Sequence, residues 1–284
     1  MPEFRFEGIG TGWAVETAEP LHPDVAAQVI ARVGQFDRTY SRFRDDSLVT
    51  SFAATGGSRE FPADAGALFD LYDALYERSD GAVTPLVGRS LETLGYDARY
   101  SLRRRGAAIV APDWRAVART GSTLVADEPA LLDVGAAGKG HLVDLVGEVL
   151  EAHGVGEYVI DASGDILSRG PGALRVGLEH PFDPSLAIGV VEVSDASVCA
   201  SGSNRRVWGE GLHHILDGRT GEPTRGVVAT WAIADSALVA DGLATALFFT
   251  DPGHLAEVFD FQFVRLFASG RAERSNDLPG ELFS

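Results

Sequence analysis

The 284-residue sequence is poor in the features that mark secreted, membrane and disulfide-stabilised proteins. Its one cysteine, Cys199, excludes an internal disulfide, and we expect this thiol to pack as a small apolar side chain rather than act as a nucleophile. No apolar run is long enough to cross a bilayer, and the N-terminal residues show neither a secretory signal nor a lipobox. These absences predict a soluble, cytoplasmic protein without membrane insertion.

Basic residues are also scarce, since 24 Lys and Arg stand against 41 Asp and Glu, which gives a net charge of -17. No basic block or basic helix compensates for this charge locally. The field of such a protein repels nucleic acid and anionic membranes, so we expect neither as a partner. A small anionic ligand would need local help from a metal ion, from helix N-termini or from a few well-placed cations.

The chain lacks internal repeats, low-complexity tracts and long linkers, so we expect one domain over residues 1–284. Apolar residues at helical spacing predict helices at residues 22–40, 62–81 and 140–154. In the first of these helices we expect Val25, Ile30 and Val33 to be buried.

Short β-branched runs predict strands, the main ones being YVIDASGDI, IGVVEV, SVCAS, VVATWAIA and FVRLF. These strands outnumber the crossover helices that a parallel sheet requires. We therefore predict an α+β fold with largely antiparallel sheets and packed helices.

The glycine-rich stretch DVGAAGKGHLVD, residues 133–144, precedes one predicted helix. It is not a Walker A loop, because Asp133 stands at the first glycine position and Gly140 replaces the hydroxyl residue that binds magnesium. Its glycines would let the backbone approach a ligand, Lys139 would add a positive charge, and the helix after Gly140 would direct free N–H groups at an anion. The alternative is a structural turn with a solvated lysine.

The stretch HHILDGRTGEP, residues 213–223, contains two adjacent histidines followed by tight-turn residues. On a strand they would point to opposite faces, so at most one of them faces a given site. His214 is a candidate general acid or base, although a single histidine in this position is also compatible with a purely structural role. We do not expect the pair to bind zinc, because adjacent histidines cannot both ligate from a regular strand and no Cys or third His stands at metal-ligand spacing.

The stretch SALVADGLATALFF, residues 236–249, reads as an apolar helix with two polar groups, Asp241 and Thr245, on one face. A carboxylate and a hydroxyl on a largely buried helix are hard oxygen ligands of the kind that Mg²⁺ prefers. The alternative is a surface aspartate beside a threonine that hydrogen-bonds its own helix.

Aromatic and basic residues alternate in TYSRFRDDS, where Tyr40 and Phe43 lie beside Arg42 and Arg44. Such residues could stack on a planar ring system, or the aromatic rings could simply belong to the core.

Taken in order along the chain, these segments resemble the FAD:protein FMN transferase family, also called ApbE. The family pattern D-L-G-G-I-A-K-G-x-x-V-D is matched by Asp133, Gly135, Lys139, Gly140, Val143 and Asp144. The pattern H-I-I-D-P-R-T-G is matched by His214, Ile215, Asp217, Arg219, Thr220 and Gly221. The pattern A-D-A-L-A-T-A is matched by Ala240, Asp241, Leu243, Ala244, Thr245 and Ala246. DASGDI and GIGTGW resemble the family's N-A-G-G-D-I and M-G-T-x-W.

The resemblance implies an ApbE-like, T-fold-related architecture over the whole chain and a site for FAD and Mg²⁺. The residues it implies in FAD binding are Phe43, Ala82, Val83, Thr84, Asp133, Lys139 and Ile215. It implies that the Asp241 and Thr245 side chains and the main-chain oxygens of Gly138 and Ala244 hold the metal, and His214 is the candidate base.

The implied reaction transfers the FMN part of FAD to a threonine hydroxyl of an acceptor flavoprotein, with release of AMP. Two alternatives keep the same site: an Mg²⁺-dependent FAD pyrophosphatase, in which water attacks, and a flavin-binding protein without chemistry. Five positions depart from the family pattern. Gly138 replaces Ala, Phe43 replaces Tyr, Val83-Thr84 replace Phe-Asp, and Asn204 replaces the Tyr of S-G-x-Y-x-R.

Overall fold

The computed structural model describes residues 1–283. Within them lie seven α-helices: α1 (Pro23–Tyr40), α2 (Leu48–Thr55), α3 (Ala65–Arg78), α4 (Gly88–Leu94), α5 (Gly138–Ala152), α6 (Ala237–Ala246) and α7 (Pro252–Ala256). The first eight strands are β1 (Glu3–Gly8), β2 (Thr11–Thr17), β3 (Gly57–Glu60), β4 (Ala118–Thr120), β5 (Thr123–Ala126), β6 (Tyr158–Asp161), β7 (Asp165–Arg169) and β8 (Leu174–His180). The other eight are β9 (Asp183–Val193), β10 (Ser197–Gly202), β11 (Val207–Trp208), β12 (Leu212–His213), β13 (Val227–Ala234), β14 (Gln262–Phe267), β15 (Ala272–Arg274) and β16 (Gly280–Leu282).

An eight-stranded sheet with the order β1-β2-β6-β7-β10-β13-β14-β15 forms the centre of the molecule, and every neighbouring pair in it is antiparallel. Two three-stranded sheets, β16-β9-β8 and β3-β5-β4, and the β11-β12 pair complete the strands. The predicted α+β fold with antiparallel sheets is confirmed. The predicted strand YVIDASGDI is instead a hairpin, because the chain turns at Ser163 (φ 56°) and Gly164 (φ 101°) between β6 and β7.

The central sheet has apolar contacts on both faces. Helices α1, α3, α5 and α6 contribute to the larger apolar cluster, which includes Val15 and Ile160 of the sheet. The smaller cluster contains Val191 of the β16-β9-β8 sheet together with Trp231 and Val264 of the central sheet. Cys199 is fully buried in the larger cluster, as expected for a thiol that packs as an apolar group.

Helix α1 shows how packing selects one stripe of a helix. Val25, Val29, Val33 and Phe36 follow the three- and four-residue spacing and are buried. The prediction that Ile30 is buried was wrong, since this side chain is 43% exposed. Ile30 lies about 100° around the helix from Val29, outside the stripe that contacts the core.

None of the helices within residues 1–283 combines the length and the apolar character that crossing a membrane requires.

Candidate active site

The glycine-rich stretch becomes helical earlier than predicted, because α5 begins at Gly138 rather than after Gly140. Gly140 also serves a different purpose from the expected one. A Cβ atom at this position would lie 2.1 Å from the carbonyl oxygen of Ala237, so only glycine lets α5 and α6 approach this closely. Gly140 is therefore a helix-packing residue.

Each of the helices α5 and α6 supplies a carboxylate that accepts hydrogen bonds from the N-terminal end of the other. The main-chain N–H of Gly140 donates to Oδ2 of Asp241 at 2.9 Å. In return, the N–H groups of Ala237 and Leu238 donate to the two oxygens of Asp144, each at 2.8 Å. A carboxylate is favoured at a helix N-terminus, so each helix stabilises the other and the position of Asp241 is set by both.

Asp241 is only 4% exposed, so the alternative of a surface aspartate is wrong. Its pKa is raised well above the usual value by desolvation and then by the nearby negative charge of Asp165, while the ammonium of Lys139 opposes both effects. The N-terminal end of α5 was expected to bind an anionic ligand, but its N–H group instead binds the carboxylate of Asp241.

A second buried carboxylate lies beside the first one. Asp165, at the start of β7, is fully buried, and the Nζ atom of Lys139 lies 3.2 Å from its Oδ2. Lys139 also donates to the carbonyl oxygens of Ala162 (2.8 Å) and Ser163 (3.3 Å). Desolvation raises the pKa of Asp165 above its usual value despite this ammonium. Two carboxylates share one ammonium, which leaves the cluster with an excess of negative charge when both are ionised.

Oxygen atoms that suit a hard cation lie around Asp241. Thr245 donates its hydroxyl to the carbonyl oxygen of Ala136 at 3.1 Å, so the alternative of a threonine bonded to its own helix is wrong. The carbonyl oxygen of Ala244 accepts from the Thr230 hydroxyl at 2.6 Å and keeps a second lone pair. In residues 1–283, no three His, Cys, Asp or Glu side chains come together as a metal site. A cation here would need main-chain and hydroxyl oxygens in addition to Asp241.

Asp133 lies in an ion pair that the sequence did not indicate. Its Oδ2 accepts from Nε of Arg42 at 2.5 Å, and its Oδ1 accepts from the N–H of Gly135 at 2.8 Å. Burial alone would raise the pKa of Asp133, but the charge and hydrogen bonds of Arg42 outweigh it and hold that pKa below the usual value. Asp133 is therefore ionised at neutral pH.

Main-chain hydrogen bonds join three separate sequence segments at this point. Ala82, Val83 and Thr84 are buried, and the carbonyl oxygen of Ala82 accepts from the N–H of Gly218 at 2.9 Å. The N–H of Asp133 donates to the carbonyl oxygen of Pro85 at 2.7 Å. Gly218 is required because a Cβ atom there would lie 2.6 Å from the carbonyl oxygen of Gly81. The segment at residues 82–85 thereby connects the histidine-containing segment to the Asp133 loop.

The two adjacent histidines have different surroundings. Nε2 of His213 lies 2.8 Å from the carbonyl oxygen of Thr224, and Nδ1 accepts from the N–H of Ile215 at 3.3 Å, so both ring nitrogens bond the main chain. Ile215 itself packs with Val227 and Phe248 in a small apolar cluster. His213 is thus a structural residue.

His214 follows β12 and has a buried Nδ1 atom that finds no hydrogen-bond partner in residues 1–283. Desolvation, followed by the positive charge of Arg206, lowers the pKa of His214 to about 3, while the Asp133 carboxylate acts in the opposite direction. Both of these charged groups are therefore near the ring. His214 is neutral at physiological pH and has an unpaired ring nitrogen.

Aromatic rings form the other end of the site. Phe43 contacts Tyr96 edge-on, with ring centroids 5.4 Å apart, and Tyr96 stacks on Trp208 at 5.4 Å. The guanidinium carbon of Arg42 lies 4.3 Å from the Phe43 ring centroid, and that of Arg206 lies 5.8 Å from the Tyr96 centroid. A cavity of about 760 Å³ adjoins Arg42 and Phe43 on the side of α2 and α4. This end suits a planar, electron-poor ring system.

The structure brings the predicted residues into two groups. Gly138, Lys139, Asp241, Ala244 and Thr245 lie at the α5/α6 junction, whereas Phe43, Asp133 and His214 share the surroundings of Arg42 and Arg206. Sequence reasoning did not select Asp165, Tyr96, Tyr100, Trp208 and Arg206. Asp165 and Arg206 did carry a signal, because Asp165 is the second aspartate of the DASGDI segment and Arg206 is the arginine of the S-G-x-Y-x-R segment. The three aromatic residues carried none, since their segments match no quoted motif.

Comparisons with known proteins place this geometry in context. A family model described as "ApbE family" matches residues 9–264. The chain is 30% identical over 261 residues to an FAD:protein FMN transferase of Rhodobacter capsulatus, covering 85% of this chain and 50% of that protein. It is 30% identical over 263 residues to an FAD:protein FMN transferase of Treponema pallidum (strain Nichols), covering 78% and 70%. The chain thus spans about half the length of the Rhodobacter relative.

The fold is also similar to that of a solved structure. The crystal structure of the ApbE protein from Thermotoga maritima superposes with a TM-score of 0.85, at 23% sequence identity and with 97% of each chain covered. The arrangement of the sheets and helices is therefore the one found in that structure.

Proposed function

Because the chain belongs to the ApbE family, we propose that it is an FAD:protein FMN transferase that attaches the FMN part of FAD to a threonine hydroxyl of an acceptor flavoprotein. The observation that carries this proposal is a buried pair of carboxylates at the α5/α6 junction, connected by the loop at residues 133–138 to an aromatic end with two arginines. FAD has a matching division, since its pyrophosphate needs cations and its isoalloxazine ring needs a stacking surface.

The charged end fits a magnesium ion. Asp241 and Asp165 share the ammonium of Lys139, so a bound cation would favour ionisation of both carboxylates and balance their negative charge. The Asp241 and Thr245 side chains and the main-chain oxygens of Gly138 and Ala244 would hold Mg²⁺, all of them hard oxygen donors. When bound, the ion neutralises charge on the pyrophosphate as the phosphorus is attacked.

The residues of this chain orient the substrate and move the proton. The threonine Oγ of the acceptor forms a bond to the FMN-side phosphorus as the bond from that phosphorus to the bridging oxygen breaks. AMP leaves with that oxygen. A neutral His214 accepts the threonine proton, and the negative charge of the bound pyrophosphate raises its low pKa towards the useful range.

The FAD-binding residues proposed here are those implied by the motifs, Phe43, Ala82, Val83, Thr84, Asp133, Lys139 and Ile215. Two arginines add to them. Nη2 of Arg42 is buried and makes no hydrogen bond within residues 1–283, so it is a donor without a partner in the described protein. Arg206 is exposed and lies beside Tyr96, where it can meet a phosphate or a flavin carbonyl. The Nζ atom of Lys139 contacts the Ala162 carbonyl oxygen and the Asp165 carboxylate, so Lys139 acts on the pyrophosphate through its charge.

The test is an incubation of the protein with FAD and Mg²⁺, first alone and then with purified candidate acceptor flavoproteins. We expect AMP release that depends on the acceptor and covalent FMN on that acceptor, detected by its mass and by fluorescence in a denaturing gel. The matched control is the same acceptor with its target Thr changed to Ala. AMP and free FMN formed at the same rate without acceptor would indicate a pyrophosphatase instead. Tight FAD binding without AMP release, over a panel of acceptors, would indicate a flavin-binding protein.

The cytoplasmic location expected from the sequence stays a prediction, and cell fractionation is the measurement that tests it.

A further inference from the structure

The ring of Phe43 is covered by a second aromatic side chain, Tyr100. The two ring centroids are 4.8 Å apart and the ring planes differ by 8°, which is a parallel stack. Phe43 is also the residue to which the proposed function assigns contact with the flavin. Tyr100 therefore uses part of the surface on which a flavin ring would stack.

The loop that carries Tyr100 is held in one conformation. Tyr100 has a left-handed backbone (φ 48°), which is uncommon for a bulky residue. The buried carboxylate of Asp97 accepts from the N–H groups of Arg99 (2.9 Å) and Ser101 (3.0 Å), and the N–H of Tyr100 donates to the Asp97 carbonyl oxygen at 2.9 Å. These bonds offset the strain, and they aim the Tyr100 side chain at Phe43.

Three side chains contact the Phe43 ring, namely Arg42, Tyr96 and Tyr100, and the first and the last of them are held with very different firmness. Arg42 has a side chain that is 2% exposed and is fixed by Asp133 and by the Tyr96 carbonyl oxygen at 2.8 Å. Tyr100 is 52% exposed, and within residues 1–283 its hydroxyl makes no side-chain hydrogen bond. Moving Arg42 would leave the partly buried Asp133 without its cation, whereas moving Tyr100 breaks the exposed stack on Phe43 and an edge-on contact with Tyr96 at 5.5 Å. Tyr100 is thus the partner that can leave.

We propose that Tyr100 is a displaceable cover on Phe43, which the isoalloxazine ring of the substrate must replace in order to stack there. This inference rests on the proposed function, because it takes Phe43 as the flavin contact. Insertion of a third ring between two stacked rings needs a separation of about 7 Å, so the flavin and Tyr100 compete for Phe43 at the observed spacing. Tyr100 thereby lowers flavin affinity and makes binding selective for a ring that stacks better than a phenol.

The experiment compares wild type with Tyr100→Ala, using FMN, FAD and ADP as separate probes in calorimetric titrations with Mg²⁺ present. We expect Tyr100→Ala to bind FMN and FAD about three- to tenfold more tightly, since an aromatic stack of this size no longer has to be broken. The affinity for ADP, which has no flavin ring, should not change. Tyr100→Phe keeps the stack and should retain wild-type affinity for FMN.

Leu102→Ala is the matched control, because Leu102 is an exposed residue of the same loop and also has a left-handed backbone (φ 52°). It should leave all three affinities unchanged, and thermal melts of each variant check that the fold is retained. An FMN affinity that is unchanged or weaker in Tyr100→Ala would contradict the proposal that Tyr100 covers Phe43. An unchanged FMN affinity would place the isoalloxazine ring in the cavity beside α2.

The failure of this inference and the failure of the proposed function differ. Tighter FMN binding by Tyr100→Ala without FMN transfer to any acceptor would support the cover and remove the transferase. FMN transfer by the wild type together with weaker FMN binding by Tyr100→Ala would support the transferase and contradict the cover. No FMN binding by any of the variants overturns both.

Discussion

The charged end of the candidate site is built on helices and a sheet strand, whereas the aromatic end is built largely on loops. Asp241, Lys139 and Asp165 project from α6, α5 and β7, and the two carboxylates are buried while Lys139 is half-buried. Phe43 and Tyr100 lie in connecting segments, with Phe43 half-buried and Tyr100 exposed. Reciprocal carboxylates lock the charged end, while an exposed stack covers the aromatic end.

The difference follows from the strength of the interactions. A buried charge that is misplaced costs several kcal/mol, so it needs partners that cannot move. Stacking of rings contributes about 0.5–1.5 kcal/mol and tolerates small shifts, so loops suffice for it. The two ends should therefore respond to substitution with effects of very different size.

Asp241→Asn should have the largest effect, by removing one negative charge from the charged end. We expect Mg²⁺-dependent transfer to fall by about 10³-fold or more, because the metal contributes several kcal/mol of charge stabilisation. Asn keeps an oxygen that can accept from the Gly140 N–H, so circular dichroism and thermal melts should show a folded protein. The measurement is a Mg²⁺ titration that follows AMP release with FAD and acceptor present.

Asp235→Asn is the control for that substitution, since Asp235 is an exposed aspartate just before α6. It should behave as wild type. If a folded Asp241→Asn protein kept the wild-type Mg²⁺ dependence, Asp241 would not be a metal ligand and the charged end would lose its assigned purpose.

His214→Gln should come second, with a transfer rate lowered by about 10²- to 10⁴-fold and FAD affinity retained, because it removes the proposed base. Single-turnover rates at saturating FAD measure the first effect and calorimetry measures the second. His213→Gln is the comparison. It should lower the melting temperature, because His213 bonds the main chain, and leave the rate of the folded fraction unchanged. The opposite pattern in the two variants would assign the base to His213.

The pH dependence of stability should show a smaller effect of the same residue. The pKa of His214 is about 3 in the folded protein and about 6.5 in an unfolded chain, so only the unfolded state takes up this proton between those values. His214 therefore contributes stability above pH 6.5 that is lost as the pH falls towards 3, and the loss is about 2 kcal/mol at pH 5.

Urea unfolding at pH 7 and pH 5 measures this contribution. His214→Gln should lose about 2 kcal/mol less than wild type between the two values. His254→Gln, at an exposed histidine, should lose as much as wild type. An equal loss in His214→Gln would mean that the ring is protonated in the folded protein, and so is not enclosed as described.

Phe43→Leu should have the smallest effect, at the aromatic end. We expect FAD affinity to fall by about three- to tenfold through the loss of stacking, with no change in the transfer rate at saturating FAD. Phe43→Tyr keeps the ring and should bind FAD at least as well as wild type. If the FAD affinity of Phe43→Leu fell by as large a factor as the transfer rate of Asp241→Asn, the two ends of the site would be equally sensitive to substitution. The contrast between them would then be wrong.

The charged end could be predicted from the sequence in most of its parts. Asp241 and Thr245 lie four residues apart on an apolar helix, and that spacing by itself places them on one face. The motif order along the chain indicated the family, which the comparisons confirm. The metal ligands, the FAD contacts, the single domain and the base remain predictions.

The aromatic end and several contacts could not be predicted in this way. Local spacing cannot show that Asp165 pairs with Lys139, that Arg42 pairs with Asp133, or that Tyr100 covers Phe43, because each pair joins separate segments of the chain. Gly140 was read as a ligand-binding glycine, but the close partner is Ala237 of another helix. The buried face of α1 was misjudged at Ile30 for the same reason, since packing of α1 against α5, α2 and β1 selects the stripe.

The sequence by itself determined the composition, the alternation and spacing that form antiparallel strands and amphipathic helices, and the order of motifs that marks the family. These are properties of neighbours along the chain, and near neighbours have few possible arrangements. Only the tertiary structure decided which of the two histidines has an unpaired ring nitrogen, which carboxylates share an ammonium, and which ring covers Phe43. Those outcomes depend on which buried polar groups find partners, and the partners come from segments that meet only when the sheet and helices pack.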